Sequence, residues 1–110
     1  MKLRRARSEI YVPDGLPPAE ALARTTHLAV GAHQDDVEIM AYAGILDCYA
    51  KKDRWFAAAI TTNGAGSDRS GPYAEFTDEQ MQQVRRVEQR KAAFVGEYAA
   101  VRCSTTRAPR

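Results

Sequence analysis

His33, Asp35 and Asp36 fall within one short segment, Ala32-His33-Gln34-Asp35-Asp36-Val37-Glu38. An imidazole and a carboxylate are good ligands for Zn²⁺, and a second carboxylate beside them could take a proton from a metal-bound water. A catalytic zinc needs a third protein ligand and an open position for that water. A structural reading competes with this one. Asp35 or Asp36 could cap a helix, and Asp35 with Glu38 has capping-box spacing. Capping accounts for any one of these acids. It does not account for three polar residues crowded against the end of an apolar run, so both readings stand at this point.

Other polar residues carry weaker signals. Arg85 and Glu88, three positions apart, can form an ion pair on one helix face. The pair is either structural or turns Arg85 toward a substrate. Asn63 and Arg69 belong to the loop NGAGSDRSGPYAEF, where either could reach a sugar hydroxyl or simply be solvated. Gly64-x-Gly66 lacks the third glycine of a dinucleotide-binding turn. Cys48 has the place of a small packing residue.

The elements that must position His33 follow from the apolar pattern. Residues 1–26 contain Pro13, Gly15, Pro17 and Pro18 and are expected to form an irregular arm, with one short helical turn around Glu20 to Arg24. From His27 the run Leu28-Ala29-Val30-Gly31-Ala32 reads as a strand covered on both faces. Helix formers follow from Asp36 to about Lys52. Val37, Met40, Ala41, Gly44 and Cys48 are at helical spacing, and Ile39, Tyr42, Leu46 and Tyr49 imply burial on more than one side. A second strand, Trp55 to Thr62, lacks polar alternation and reads as a central parallel strand. Thr77 with Gln80 forms a capping box that opens a long helix to about Ala99 or Ala100, with Met81, Val84, Ala92 and Val95 along one face. The order strand–helix–strand–helix predicts an α/β fold, a Rossmann-like parallel sheet with flanking helices and right-handed crossovers, but an incomplete one. The expected organisation is an arm over 1–26, a partial domain over 27–100, and a polar, disordered tail over 101–110.

Composition sets outer bounds. The chain has 110 residues, 45% hydrophobic and 27% charged, which is ordinary for one globular domain. A net charge of +2 with arginines at both ends fits solvated tails better than a nucleic-acid surface. No stretch approaches the roughly 18 apolar residues of a membrane span. Two cysteines without metal or redox spacing, and no secretory signal, point to a reducing cytoplasm. An exposed strand edge would invite self-association into a homo-oligomer.

The segment AHQDDVE resembles the AHPDD-x-E signature of the PIG-L/LmbE-like metal-dependent deacetylases. Arg85-x-x-Glu88-x-x-x-Ala92-Ala93-x-x-Gly96 is similar to that family's second-helix pattern, and TTNGAGSDR is similar to its Gly-rich loop. The resemblance runs from about His27 to Gly96. It implies an enzyme that removes an acetyl group from an N-acetylglucosamine-type amide or a related acylated amine. His33 and Asp36 would be Zn²⁺ ligands, Asp35 the general base, and Arg85 a residue facing the substrate or the active-site carboxylates. Gln34 replaces the signature's proline and is expected to face away from the chemistry and loosen the turn. The family's third ligand is a later histidine, whereas this chain has only His27 and His33. His27 starts the strand that ends near His33, roughly 20 Å away, and cannot substitute. The resemblance therefore implies the N-terminal part of a deacetylase, cut short or frame-shifted near position 100 and inactive alone. The alternative is a non-catalytic relative that serves as a binding module.

Overall fold

The computed structural model describes residues 9–62 and 74–104. Their elements are β1 (Glu9–Tyr11), α1 (Pro18–Ala23), β2 (His27–Gly31), α2 (Asp36–Met40), α3 (Tyr42–Cys48), β3 (Phe56–Ile60), α4 (Asp78–Val95) and β4 (Ala100–Cys103). The four strands form one sheet in the order β1-β4-β3-β2. β2, β3 and β4 are parallel, with Leu28 opposite Ala57 and Ala57 opposite Ala100. β1 runs antiparallel to β4.

The sheet is thus mixed, not wholly parallel as expected. Residues 9–11, expected in an irregular arm, form β1. Arg90 holds this strand from α4, with Nη2 2.6 Å and Nε 3.1 Å from the two carboxylate oxygens of Glu9. The start of the expected polar tail belongs to β4, where Val101 and Cys103 are buried and Arg102 between them is half-buried. Strands of three and four residues are decided by their neighbours more than by their own composition. The anticipated turn near Glu20 is α1.

Because β2, β3 and β4 are adjacent in chain order, two right-handed crossovers put their helices on the same face. Val37, Ile45 and Cys48 from α2 and α3, and Ala93 from α4, meet Phe56, Ala58, Ile60, Val101 and Cys103 in one core. Tyr98 joins it, its ring edge-on to Phe56 at 4.8 Å between centroids. A Cβ on Gly96 would lie 2.6 Å from the Tyr98 ring, so glycine at the end of α4 is what lets Tyr98 fold underneath.

The opposite face is covered near β4 by α1, whose Ala21 is buried, but it is open at β2. Leu28 and Val30 are 66% and 58% exposed, so β2 is an edge strand among the described residues and not one covered on both faces. The single helix expected from Asp36 is two, interrupted at Ala41 (φ −115°, ψ 23°) with no proline or glycine there. Ile39, Tyr42, Leu46 and Tyr49 point to solvent instead of a second interior. The capping box of α4 is present, with the Gln80 amide donating to Thr77 Oγ1 at 3.1 Å and the Thr77 amide donating to Gln80 Oε1 at 2.8 Å. α4 stops at Val95. Its buried residues are Met81, Gln89 and Ala93, while Val95, expected on the buried stripe, is exposed.

Candidate active site

The chain leaves β2 at Gly31 and turns back so that α2 starts over the strand's end. A Cβ on Gly31 would lie 2.9 Å from Val37 Cγ2 and 3.3 Å from Asp36 Cβ. Only a residue without a side chain permits that approach. The close crossing brings Asp36 back onto His33. Asp36 Oδ2 accepts the His33 backbone N–H at 3.0 Å and lies 3.2 Å from His33 Nδ1. With Nδ1 protonated this contact is a hydrogen bond. With Nδ1 unprotonated, the spacing matches that of two neighbouring ligands on a tetrahedral zinc, about 3.3 Å for bonds of 2.0–2.1 Å. Ring and carboxylate therefore converge, and both are accessible from solvent. Among the described residues no group of three or more His, Cys, Asp or Glu could hold a metal ion. His33 and Asp36 offer two donors of suitable chemistry.

Asp35 lies beside them in the left-handed region (φ 75°, ψ −18°), which residues other than glycine seldom adopt. Its side chain makes no cap bond to α2, so the capping box with Glu38 does not form. Instead Asp35 Oδ2 is 3.1 Å from Arg85 Nη1, and its backbone N–H donates to Gln89 Oε1 at 3.3 Å. Glu38 points inward. Its Oε1 accepts from Gln89 Nε2 at 3.2 Å and its Oε2 from the Tyr98 hydroxyl at 2.6 Å. Burial, and then the carboxylate of Glu38, push the Tyr98 hydroxyl far above its usual pKa, so it remains a donor.

Arg85 also holds Glu88 at 2.6 Å and donates from Nη2 to the Gln34 carbonyl at 2.7 Å. The anticipated pair with Glu88 is present, and the same guanidinium is committed to the turn as well. Gln34 differs from expectation. It is buried, and its Nε2 donates to the Thr62 carbonyl at 3.1 Å, while the Thr62 hydroxyl donates to the Ala32 carbonyl at 2.7 Å. These bonds tie the loops after β2 and β3 together, so Gln34 clasps the turn where proline would have stiffened it. Asn63 and Arg69 lie outside the described residues.

The residues that sequence reasoning passed over are Gln89 and Tyr98, along with the inward course of Glu38. A signal for Gln89 existed: Met81, Arg85, Gln89 and Ala93 recur every fourth position, and the row faces the sheet. The other histidine, His27, stands at the far end of β2 with Nε2 3.1 Å from Asp47.

No helix among the described residues is long and apolar enough to cross a membrane. No curated protein and no solved structure matches the chain. The sequence model described as PIG-L: GlcNAc-PI de-N-acetylase matches residues 28–105, which takes in the whole of the turn, α4 and β4. On that match the chain belongs to the PIG-L family of deacetylase-type hydrolases.

Proposed function

We propose that this chain carries part of a metal-dependent N-deacetylase centre, with His33 and Asp36 as two ligands of Zn²⁺ and Asp35 as the general base. The observation behind this reading is the convergence of His33 Nδ1 and Asp36 Oδ2 at the carboxyl end of β2, in the turn that also carries Asp35. In open α/β sheets ligands collect at that edge. The parallel strands follow the order β4-β3-β2, and in a doubly wound sheet a turn leaving the strand at that end would adjoin the point where strand order reverses.

The substrate class is an acetylated amino sugar of the N-acetylglucosamine type, or a similar amide. A bound zinc would acidify its water and polarise the acyl carbonyl. Asp35, half-exposed and left uncapped by its backbone conformation, accepts the proton of the attacking water and returns it toward the leaving amine. Arg85 keeps Asp35 in place through Nη1 while Nη2 holds the Gln34 carbonyl, and its Nε is buried; a substrate contact would need one of the two terminal nitrogens released. Asn63 and Arg69 are assigned to the sugar hydroxyls on the resemblance alone. Two free, buried cysteines fit a reducing cytoplasm.

Zinc titration by calorimetry tests the reading. The expected result is weak binding, reduced at least about tenfold by His33→Ala. Binding that His33→Ala leaves unchanged would overturn it. A second reading, a binding module without catalysis, is favoured by the absence of a third metal donor among the described residues. Amine release from N-acetylglucosamine derivatives separates the two. With two ligands we expect turnover to be negligible, and measurable turnover that depends on Asp35 would discard the module.

A further inference from the structure

We propose that Gln89 is a positioning residue for this centre, acting through the backbone of Asp35; the inference rests on the deacetylase reading. Gln89 is fully buried in the middle of α4, yet both ends of its carboxamide are hydrogen-bonded. Its Oε1 accepts the Asp35 N–H at 3.3 Å, and its Nε2 donates to Glu38 Oε1 at 3.2 Å. Glu38 is fixed in turn by the Tyr98 hydroxyl at 2.6 Å. Only a carboxamide satisfies both neighbours. A glutamate would set two carboxylates against each other, and an apolar residue would strand the Asp35 amide and a carboxylate oxygen.

The consequence concerns which way Asp35 faces. An aspartate before a helix ordinarily takes an extended backbone and turns its carboxylate onto the amides of the first turn. Here the left-handed conformation (φ 75°) prevents that, and no cap bond forms. The carboxylate is thereby left uncapped, half-exposed and paired with Arg85. Gln89 holds Asp35 by its amide, and Arg85, four residues earlier in the same row of α4, holds it by its carboxylate. The base is gripped at two points from one helix.

The test uses Gln89→Leu, with Gln89→Met in its place if the first variant does not fold. The backbone at residue 35 is read by NMR, from its amide-to-α-proton coupling and carbon shifts, and zinc affinity is read by calorimetry. Asp35 is expected to leave the left-handed region, and zinc binding to weaken about tenfold. Glycine adopts that region at little cost. The double variant Gln89→Leu with Asp35→Gly should therefore recover most of the lost affinity, because it restores the turn without Gln89. Loss of packing alone predicts no such rescue. If the unaltered chain binds no zinc, the deacetylase reading fails, while the NMR readout still decides the role of Gln89. A variant in which residue 35 keeps its conformation would overturn the inference, as would an affinity loss that glycine does not repair.

Discussion

The two ends of β2 each hold a histidine against an aspartate, at 3.1 Å for His27 with Asp47 and 3.2 Å for His33 with Asp36. The pairs differ in what surrounds them. Both ring nitrogens of His27 are occupied, Nε2 by Asp47 and Nδ1 by Thr26 Oγ1 at 2.8 Å, and Asp47 is itself held by Arg54 at 2.6 Å. At the other end Nδ1 meets Asp36, and α4 holds a second aspartate, Asp35, by its carboxylate through Arg85 and by its amide through buried Gln89. A histidine–carboxylate distance alone therefore does not define a metal site. What distinguishes the His33 end is a network from α4 that holds an additional acid, Asp35, in the same turn.

Several substitutions would break or sharpen this contrast. The largest effect is expected from Arg85→Ala, which removes the support of Asp35, Glu88 and the Gln34 carbonyl together. Its cost should be about 2 kcal/mol in urea unfolding, below that of a fully buried pair because both carboxylates are partly exposed. Gly31→Ala forces α2 off the strand end and should cost about 1.5 kcal/mol, with the backbone shifts of Asp36 displaced in the NMR spectrum. Asp36→Ala should weaken zinc binding at least about tenfold, or about 1.4 kcal/mol, whereas His27→Ala should leave it unchanged; an equal loss from both would erase the distinction.

Alkaline pH gives a smaller effect. Burial raises the Cys103 thiol to about 11, against an ordinary value of 9.0. Below pH 9 the folded and unfolded states bind this proton equally. Between pH 9 and 11 the unfolded state releases it first, so stability falls as pH rises, by about 1 kcal/mol near pH 9.7. Cys103→Ala should flatten that slope. The smallest effect belongs to the far end, where Arg54→Ala, on an exposed pair with Asp47, should cost about 0.5 kcal/mol.

The features legible in sequence were those written in consecutive or helically spaced residues. The turn at His33, the capping box of Thr77 and Gln80, the central β3 strand and the Arg85–Glu88 pair are of this kind. The left-handed backbone of Asp35 was not legible, because it is stabilised by Gln89 and Arg85, some fifty positions away. β1 and β4 escaped for a related reason. A three-residue strand carries no periodicity, and Arg102 makes the start of β4 look like a solvated tail until Val101 and Cys103 are seen on the covered side. The outward course of Ile39 and Tyr42 depends on the break at Ala41, which no residue type announces.

One consequence of the open flank of β2 concerns local opening. Among the described residues the strand that launches His33 is joined to the sheet on one side only, so its outward amides exchange with solvent without any unfolding of β3 or β4. The turn that sets ring against carboxylate thus hangs from an edge ribbon of the sheet. Anything that pairs with this ribbon would slow hydrogen exchange at Leu28 and Val30, and by the same contact would narrow the range of positions His33 can sample.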